Sequence, residues 1–362
     1  MDKIINTKDF ENYINKEIDG LNFKVKSNKP IEIQPEQIKM LCKLFQNKST
    51  EWSHDFIKTF LNDIFKKPNS SNGKVYEALA YSWLDIHGVQ FKPQEKVLSE
   101  NCLKANDYDA DGIIDDDIYF DVKQFGITLP HLDTLRKKLQ EKVSDSYFVT
   151  VSGTKNISTR DLQKKYLDRL SSLIKEIQSE KNKSYCGYLY KNKDDGIEIR
   201  LHNKEHMNTL TSISEFDPYE WAENNEFYFM YHASQFCVNS PYIIVCPFDS
   251  NCCHFFTNKD AKDVYDILRP LCRRMFINLI NMKDRDILDF DGKARKGIKV
   301  STAARKISAI VFLDVSKSYI SSQARTWLFL NPNADNKIPN YQVHQLFRLN
   351  GAYVEDFRFD NY

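Results

Sequence analysis

The sequence feature that most constrains the fold is a pair of short apolar segments joined by three consecutive aspartates. It reads DYDADGIIDDDIYFDVKQF and occupies residues 107–125. The segments are rich in Ile, Tyr and Phe, alternate with acidic residues, and have the length of ordinary strands. The pattern predicts a β-hairpin with arms at residues 108–114 and 118–125 and an acidic turn at 115–117.

Alternation of side chains along the two arms predicts which residues meet. Successive side chains of a strand point to opposite faces of the sheet, so Asp109 and Asp111 should project together from the first arm. For the same reason, Asp121 and Lys123 should share one face of the second arm. The residues expected to point the other way, into a core, are Phe120, Val122 and Phe125.

A helix is predicted shortly before this hairpin, in GKVYEALAYSWLDIHG at residues 73–88. Its apolar residues recur at the spacing of one buried helix face. They are Tyr76, Leu79, Ala80, Trp83 and Leu84. Gly88 is a suitable C-terminal stop. Glu77 falls in the opening turn, at the edge of the apolar face, from which its carboxylate could reach the hairpin.

Two carboxylates on neighbouring strands beside a lysine suit a Mg²⁺ site, because Mg²⁺ prefers oxygen ligands. If Asp111 and Asp121 were buried together without a cation, they would repel each other, and one would have to take up a proton. A divalent cation removes that repulsion. We therefore predict a metal site formed by Asp111 and Asp121, with Lys123 beside it and Glu77 within reach.

This order of parts resembles the PD-(D/E)XK nuclease superfamily, which has the restriction-endonuclease-like fold. In that family, a helix bearing Glu precedes a β-hairpin that carries an Asp and then an (Asp/Glu)-x-Lys motif, and a helix and further strands follow. The matching pieces are GKVYEALAYSWLDIHGVQFKPQ, DADG and DVK, within residues 73–150. The family's Pro before the first Asp is replaced by Ala110. The catalytic set that the resemblance implies is Glu77, Asp111, Asp121 and Lys123.

The resemblance also implies a fold, a reaction and a cofactor. The fold is α/β, with a mixed central β-sheet flanked by helices, a helical N-terminal addition and an α/β C-terminal addition. Mg²⁺, which Mn²⁺ can replace, would be held by Asp111, Asp121 and the backbone carbonyl of Val122, with Glu77 completing the site. Lys123 would orient the attacking water and neutralise the charge that develops on the phosphate during phosphodiester hydrolysis.

Length and local composition suggest three parts along the chain of 362 residues. We expect a helical N-terminal segment at residues 1–70, a nuclease-like domain at 71–258 and a C-terminal α/β extension at 259–362. The clearest break is KKPNSSNG at residues 66–73, because Pro, Asn, Ser and Gly are typical of loops.

The charge balance excludes a protein whose overall field attracts nucleic acid, because 51 Lys and Arg are matched by 50 Asp and Glu. Any basic surface must therefore be local. The best candidate is GKARKGIKVSTAARK at residues 292–306, which contains no acidic residue. The side chains proposed to contact phosphates are Lys293, Arg295, Lys296, Lys299, Arg305 and Lys306. A solvated loop accounts for the same segment equally well.

Cysteine usage and hydropathy indicate a cytoplasmic protein without a membrane partner. The eight Cys are scattered without a CxxC pair, as in reduced intracellular proteins. No apolar run approaches the roughly 18–20 residues of a membrane span. The expected partner is nucleic acid, above all double-stranded DNA, and the family analogy suggests a bacterial restriction or anti-phage defence endonuclease. A homodimer or a defence-system partner is compatible with this role, because cleaving both strands usually requires two active sites.

Three other interpretations fit the same residues. DYDADGII matches the first eight positions of an EF-hand loop, but the twelfth position is Ile118 rather than Glu, so a calcium site would lack its bidentate ligand. The hairpin could instead be structural, within a non-catalytic nucleic-acid-binding or scaffold protein of the same fold. The third alternative is an enzyme that acts on RNA or single-stranded DNA. Convergence of the four predicted catalytic residues would favour an enzyme over a scaffold.

Overall fold

The computed structural model describes residues 7–25, 35–66, 68–103, 108–126, 130–153, 162–206, 218–230, 232–249, 256, 260–288, 294–315, 326–339, 341–342 and 352–357. The α-helices in these residues are α1 (Thr7–Glu17), α2 (Pro35–Lys48), α3 (His54–Lys66), α4 (Pro68–Ile86), α5 (Pro130–Gln140), α6 (Leu170–Ile177), α7 (Pro218–Asn224), α8 (Ala261–Arg273) and α9 (Val300–Lys306). None of these described helices has the length and apolar character needed to cross a bilayer.

The strands of the described residues form one large sheet and two smaller ones. In chain order they are β1 (Phe91–Val97), β2 (Tyr108–Ile114), β3 (Ile118–Val122), β4 (Tyr147–Gly153), β5 (Lys183–Ser184), β6 (Gly187–Lys191), β7 (Ile197–Asn203), β8 (Tyr242–Phe248), β9 (Asp286–Leu288), β10 (Ala294–Lys299), β11 (Ala309–Asp314), β12 (Thr326–Leu330) and β13 (Ala352–Asp356). The large sheet has the order β1-β2-β3-β8-β11-β12-β13. Within it, β3–β8, β8–β11 and β12–β13 are parallel and the other pairs antiparallel.

Strand β8 shows that this sheet is covered on both faces. Its sequence YIIVCPF is buried at every position, which is typical of a strand between two layers of helices. Ile243 and Val245 pack with helices α1–α4, whereas Tyr242, Ile244 and Cys246 pack with helices α7–α9. The prediction of an α/β protein with a mixed central sheet flanked by helices is therefore confirmed.

The described residues between 130 and 206 form a separate sheet with its own core. The strand order of this second sheet is β4-β7-β6-β5. Leu135 and Leu139 of α5 and Leu173 of α6 pack against one face of it. The unit lies in the sequence between β3 and β8, although these two strands are direct neighbours in the large sheet. It is thus an insertion between the strand that carries the predicted Asp and Lys and the strand beside it.

The architecture differs from the predicted division of the chain. Strands β11, β12 and β13 come from beyond residue 258 but continue the large sheet. Helices α1–α3, from the predicted N-terminal segment, pack in the same core as α4 and β3. The predicted break at residues 66–73 is largely helical, because α4 begins at Pro68. Proline is favoured in a first helical turn, where its missing N–H is not needed, so here it starts a helix.

The predicted hairpin is confirmed, and one predicted orientation is wrong. Asp115 and Asp116 have φ angles of 50° and 60°, in the left-handed region that tight hairpin turns need and that Asp tolerates. Phe120 packs on the α4 side of the sheet, as predicted. Phe125 lies in the opposite core, with its ring centroid 4.8 Å from that of Phe312. The two Phe residues are an odd number of positions apart, so an extended chain places them on opposite faces.

Candidate active site

The two predicted aspartates come together where the hairpin opens. Pairing between β2 and β3 ends at Gly112 and Phe120. Beyond that point, the Val122 N–H donates to Asp111 Oδ2 at 2.7 Å, and the Asp111 N–H approaches Asp121 Oδ1 at 3.4 Å. The Asp111 carboxylate therefore accepts a hydrogen bond from the β3 backbone where the regular strand pairing has ended. Both carboxylates lie at this open end of the hairpin, which we call the hairpin mouth.

Asp121 is completely buried and lies beside Lys123. The distance from Lys123 Nζ to Asp121 Oδ2 is 3.3 Å, and 32% of the Lys123 side chain is exposed. Burial lowers the pKa of Lys123, but the negative charges of Asp121 and Asp111 outweigh burial and raise this pKa above its ordinary value. Lys123 is therefore cationic at neutral pH, next to a buried carboxylate and partly open to solvent.

Glu77 extends this cluster from helix α4. Its buried carboxylate has Lys74 Nζ at 2.6 Å from Oε2 and the Tyr81 hydroxyl at 2.8 Å from Oε1. Both partners are one helical turn away, so the helix itself brings the three side chains together. Burial, together with the charge of Asp111, raises the pKa of Glu77 to about 7, although Lys74 and Tyr81 act to lower it. Glu77 is therefore partly protonated near neutral pH.

Tyr81 connects Glu77 to the hairpin. Its hydroxyl lies 2.5 Å from the carbonyl oxygen of Asp111 as well as next to Glu77. A phenol has one proton to donate, so these two acceptors compete for it. Protonation of Glu77 ends the competition, because the neutral carboxyl can donate to the phenol while the phenol donates to Asp111. Sequence reasoning missed Tyr81, although its i, i+4 spacing from Glu77 was a usable signal.

Tyr242 borders the site from the neighbouring strand β8. Asp121 pairs with Ile244, so Tyr242 is its diagonal neighbour on the same face of the sheet. Burial, followed by the charge of Asp121, raises the pKa of Tyr242 well above its ordinary value. Among the described residues, neither the Tyr242 hydroxyl nor Asp121 Oδ2 has a hydrogen-bond partner of acceptable geometry. No local sequence pattern could reveal Tyr242, because a long insertion separates the two strands.

The carboxylate oxygens offer a hard divalent cation two adjacent donors. The buried Asp121 Oδ2 has the Lys123 ammonium at 3.3 Å but no hydrogen bond of acceptable geometry among the described residues, and the Asp111 carboxylate is nearby. A divalent cation would therefore find two carboxylates with lone pairs to share. Glu77 reaches these residues through Tyr81 rather than directly. Within the described ranges, no three His, Cys, Asp or Glu side chains are already grouped as a metal site. The structure thus brings Asp111, Asp121 and Lys123 together and links Glu77 to them.

All the predicted phosphate-binding residues but Lys293 belong to a strand or a helix, β10 or α9, and not to a loop. Lys299 forms an ion pair with Asp286 at 2.8 Å, and Lys306 forms one with Asp335 at 2.9 Å. Arg305 is exposed in the last turn of α9. The predicted residues whose side chains lie outside the described part of the chain are Lys293, Arg295 and Lys296. The solvated-loop interpretation is therefore wrong, and neighbouring acids partly neutralise two of the predicted cations.

The EF-hand alternative is incompatible with this fold. Residues 108–114, which would form most of the calcium loop, are strand β2, with β1 on one side and β3 on the other. An EF-hand loop must instead wrap around its ion and lead into a helix. Asp107, the first position of that loop, lies outside the described residues.

Comparison with known proteins leaves the site to be interpreted from its own residues. No family model matches the sequence, and searches of curated proteins and of solved structures give no significant match. The chemistry of the cluster is therefore inferred from the contacts, burial and charges described above.

Gly112 is required for the hairpin to close against its neighbours. A Cβ atom at this position would lie 2.5 Å from Phe120 Cζ and 2.6 Å from the Lys92 carbonyl oxygen. We expect Gly112→Ala to lower the free energy of unfolding by about 1–3 kcal/mol, because the core has no room for the methyl group. Gly73→Ala is the control: a Cβ there has no atom within 4 Å, and alanine favours a helix. Urea unfolding of both variants measures the difference, and equal stabilities would contradict the prediction.

Removal of two buried tyrosine hydroxyls should change stability in opposite directions. Tyr242→Phe should raise the free energy of unfolding by about 1 kcal/mol, because a buried hydroxyl without a partner costs energy. Tyr166→Phe should lower it by about 1–2 kcal/mol, because that hydroxyl bonds Asp195 at 2.7 Å and Asn192 at 2.9 Å. Urea unfolding tests both. A destabilised Tyr242→Phe would show that the hydroxyl donates to Asp121 in solution.

Proposed function

We propose that this chain is a Mg²⁺-dependent nuclease that hydrolyses phosphodiester bonds in double-stranded DNA on a restriction-endonuclease-like core. One observation carries the proposal. Two adjacent carboxylates, Asp111 and Asp121, meet a cationic Lys123 at the mouth of a hairpin, and the buried Oδ2 of Asp121 lies 3.3 Å from the Lys123 ammonium without a hydrogen bond of acceptable geometry among the described residues. Burial of the Asp121 charge costs free energy that the ion pair with Lys123 offsets only in part, and a metal site accounts for this cost better than a purely structural hairpin does.

The order of elements supports the same proposal. Helix α4 carries Glu77, strands β2 and β3 carry Asp111 and the Asp121–Lys123 motif, and helix α5 follows. This is the order that the superfamily resemblance leads one to expect. The structure departs from the expected order after α5. The next strand, β4, joins the second sheet, and β8 lies beside β3 instead.

Each residue of the cluster has a role in this proposal. Asp111, Asp121 and the carbonyl of Val122 would hold Mg²⁺, with Glu77 available once it is deprotonated. Bound Mg²⁺ supplies the Lewis acidity that activates water and offsets charge on the phosphate. Lys123 would orient the attacking water and donate a charge-assisted hydrogen bond to the phosphate oxygen as negative charge builds there.

A restriction or anti-phage defence role remains part of the proposal, by analogy with the superfamily. Cleavage of both strands of a duplex would require a second active site, which a symmetric homodimer supplies. The basic residues Lys299, Arg305 and Lys306 are the described candidates for contact with the DNA backbone.

The test is an incubation of purified protein with supercoiled plasmid, single-stranded DNA and RNA, in Mg²⁺, Mn²⁺ or EDTA. We expect plasmid cleavage in either metal and none in EDTA. Preferential cleavage of RNA or single-stranded DNA would change the substrate in this proposal but leave the proposed hydrolysis unchanged. If no substrate is cut, a thermal melt separates two cases: a rise in melting temperature with Mg²⁺ indicates an intact site that awaits an activator, whereas no rise indicates a scaffold.

A further inference from the structure

Two cysteines outside the candidate site lie directly opposite each other. Cys102 follows the short 3₁₀ turn at Ser99–Asn101, and Cys237 follows a similar turn at Ala233–Gln235. The two residues are partners in an isolated antiparallel β-bridge. Neither cysteine is in a disulfide, and both lie in the same buried core, with 7% and 1% of their surface exposed. Their pairing is independent of the carboxylate cluster.

The flanking hydrogen bonds define the geometry of this pair. Leu103 N–H donates to the Phe236 carbonyl at 2.9 Å, and Val238 N–H donates to the Asn101 carbonyl at 2.8 Å. These bonds lie on either side of the two cysteines, which therefore form a non-hydrogen-bonded pair. In such a pair the Cα atoms are about 4.5 Å apart and the side chains lie side by side. That separation falls within the range of about 4.4–6.8 Å observed for disulfides.

We propose that Cys102 and Cys237 are an oxidation site, which a hydroperoxide converts into a cross-strand disulfide. Cys102, the more exposed residue of the two, loses its thiol proton, and the thiolate attacks one peroxide oxygen. The O–O bond breaks, the attacked oxygen stays on sulfur as a sulfenic acid, and the other oxygen leaves as hydroxide, which takes up the thiol proton to give water when the oxidant is hydrogen peroxide. The Cys237 sulfur then attacks the sulfenic sulfur, the S–O bond breaks, and the oxygen leaves as water with the Cys237 proton. The two thiols are oxidised by two electrons, which reduce the peroxide.

The proposed disulfide would tie together the approaches to two strands of the candidate site. Cys102 precedes β2, which carries Asp111, and Cys237 precedes β8, which begins with Tyr242. The closed loop would contain β2, β3 and the whole inserted unit of residues 130–206. A covalent link across so long a segment restricts the unfolded chain strongly and so stabilises the folded protein.

Peptide mapping of the full-length protein tests the proposal. The reduced protein is treated with hydrogen peroxide and, in parallel, with diamide, alkylated, and digested with chymotrypsin without reduction. Cleavage after aromatic residues and Leu releases SENCL at residues 99–103 and CVNSPY at residues 237–242. We expect these two peptides as the main disulfide-linked species, together with a melting temperature several degrees higher that dithiothreitol reverses.

Variants connect the stability change to this pair. Cys102→Ala and Cys237→Ala should each abolish the oxidation-dependent rise in melting temperature, whereas Cys42→Ala, at another buried thiol, should retain it. If the two variants fail to fold, the peptide map of the unaltered protein is sufficient to test the proposed disulfide. The proposal is wrong if both cysteines remain alkylatable after treatment of the folded protein with both oxidants. It is equally wrong if another pair carries the main link.

Discussion

Asp121→Asn and Lys123→Ala are each expected to reduce metal-dependent DNA cleavage by at least about 100-fold. The asparagine keeps the shape of Asp121 but removes the charge on the buried carboxylate that faces Lys123. The alanine removes the ammonium group that lies 3.3 Å from Asp121 Oδ2 at the hairpin mouth. Initial rates of plasmid nicking and linearisation, at saturating Mg²⁺, measure both effects.

The same hairpin offers a matched control for these two variants. Lys92 and Asp116 form an ion pair at 2.6 Å, but their side chains are 63% and 70% exposed. Lys92→Ala and Asp116→Asn should retain cleavage within about twofold of the unaltered protein, because exposed ion pairs contribute little. Cleavage that survives Asp121→Asn at the control level would mean that the activity resides elsewhere or in a contaminant.

The stability of the protein is expected to fall between pH 5 and pH 8 through the titration of Glu77. Its pKa is about 7 in the folded protein, above the ordinary value of 4.5, so the folded state holds a proton that the unfolded chain releases. The stabilisation is complete below about pH 4.5 and is lost as pH rises toward 7. At about 1.4 kcal/mol for each pKa unit, the full loss is about 3–4 kcal/mol, and about 2–3 kcal/mol of it falls between pH 5 and pH 8.

Glu77→Gln isolates this contribution, because a neutral amide has the same shape and does not titrate. Relative to the unaltered protein, the variant should gain about 2–3 kcal/mol of stability between pH 5 and pH 8. Glu100→Gln, at an exposed position, controls for the chemical change itself. Urea unfolding at several pH values gives the comparison. A variant whose relative stability is the same at both pH values would show that Glu77 stays ionised throughout.

Mg²⁺ provides a second measurement on the same residue. A cation beside Asp111 offsets the negative charge that helps to raise the pKa of Glu77. The stability difference between the unaltered protein and Glu77→Gln at pH 8 should therefore shrink when Mg²⁺ is present. A difference that Mg²⁺ leaves unchanged would place any bound cation away from Glu77.

The strand and helix elements of the candidate site could be predicted because their signals are local. Alternation of apolar and acidic residues, with three consecutive aspartates between, indicated the hairpin, and β2, β3 and the turn at Asp115 and Asp116 follow that pattern. The periodic face around Trp83 likewise indicated helix α4. The predicted start of α4, at residue 73, was too late, because the helix begins at Pro68. Asn, Ser and Gly are typical of loops, but here they lie in the first turns of a helix.

Strand order and core assignment could not be predicted in the same way. The apolar strands β8, β11 and β12 have similar composition, and no local sequence pattern indicates which of them lies beside β3. That neighbour decides the environment of Asp121, because Tyr242 and Ile244 of β8 lie on the same face of the sheet.

The sequence by itself determined the chemical types at the site and their local directions. Asp121 and Lys123 share a face because they are two residues apart in a strand, and that period depends only on the backbone. Tertiary structure decided the electrostatics: the raised pKa of Glu77, the bridging role of Tyr81 and the presence of Tyr242 beside Asp121. The reason is that burial and charge neighbours arise when segments distant in the chain pack together, and packing sets the free energy of every ionised state.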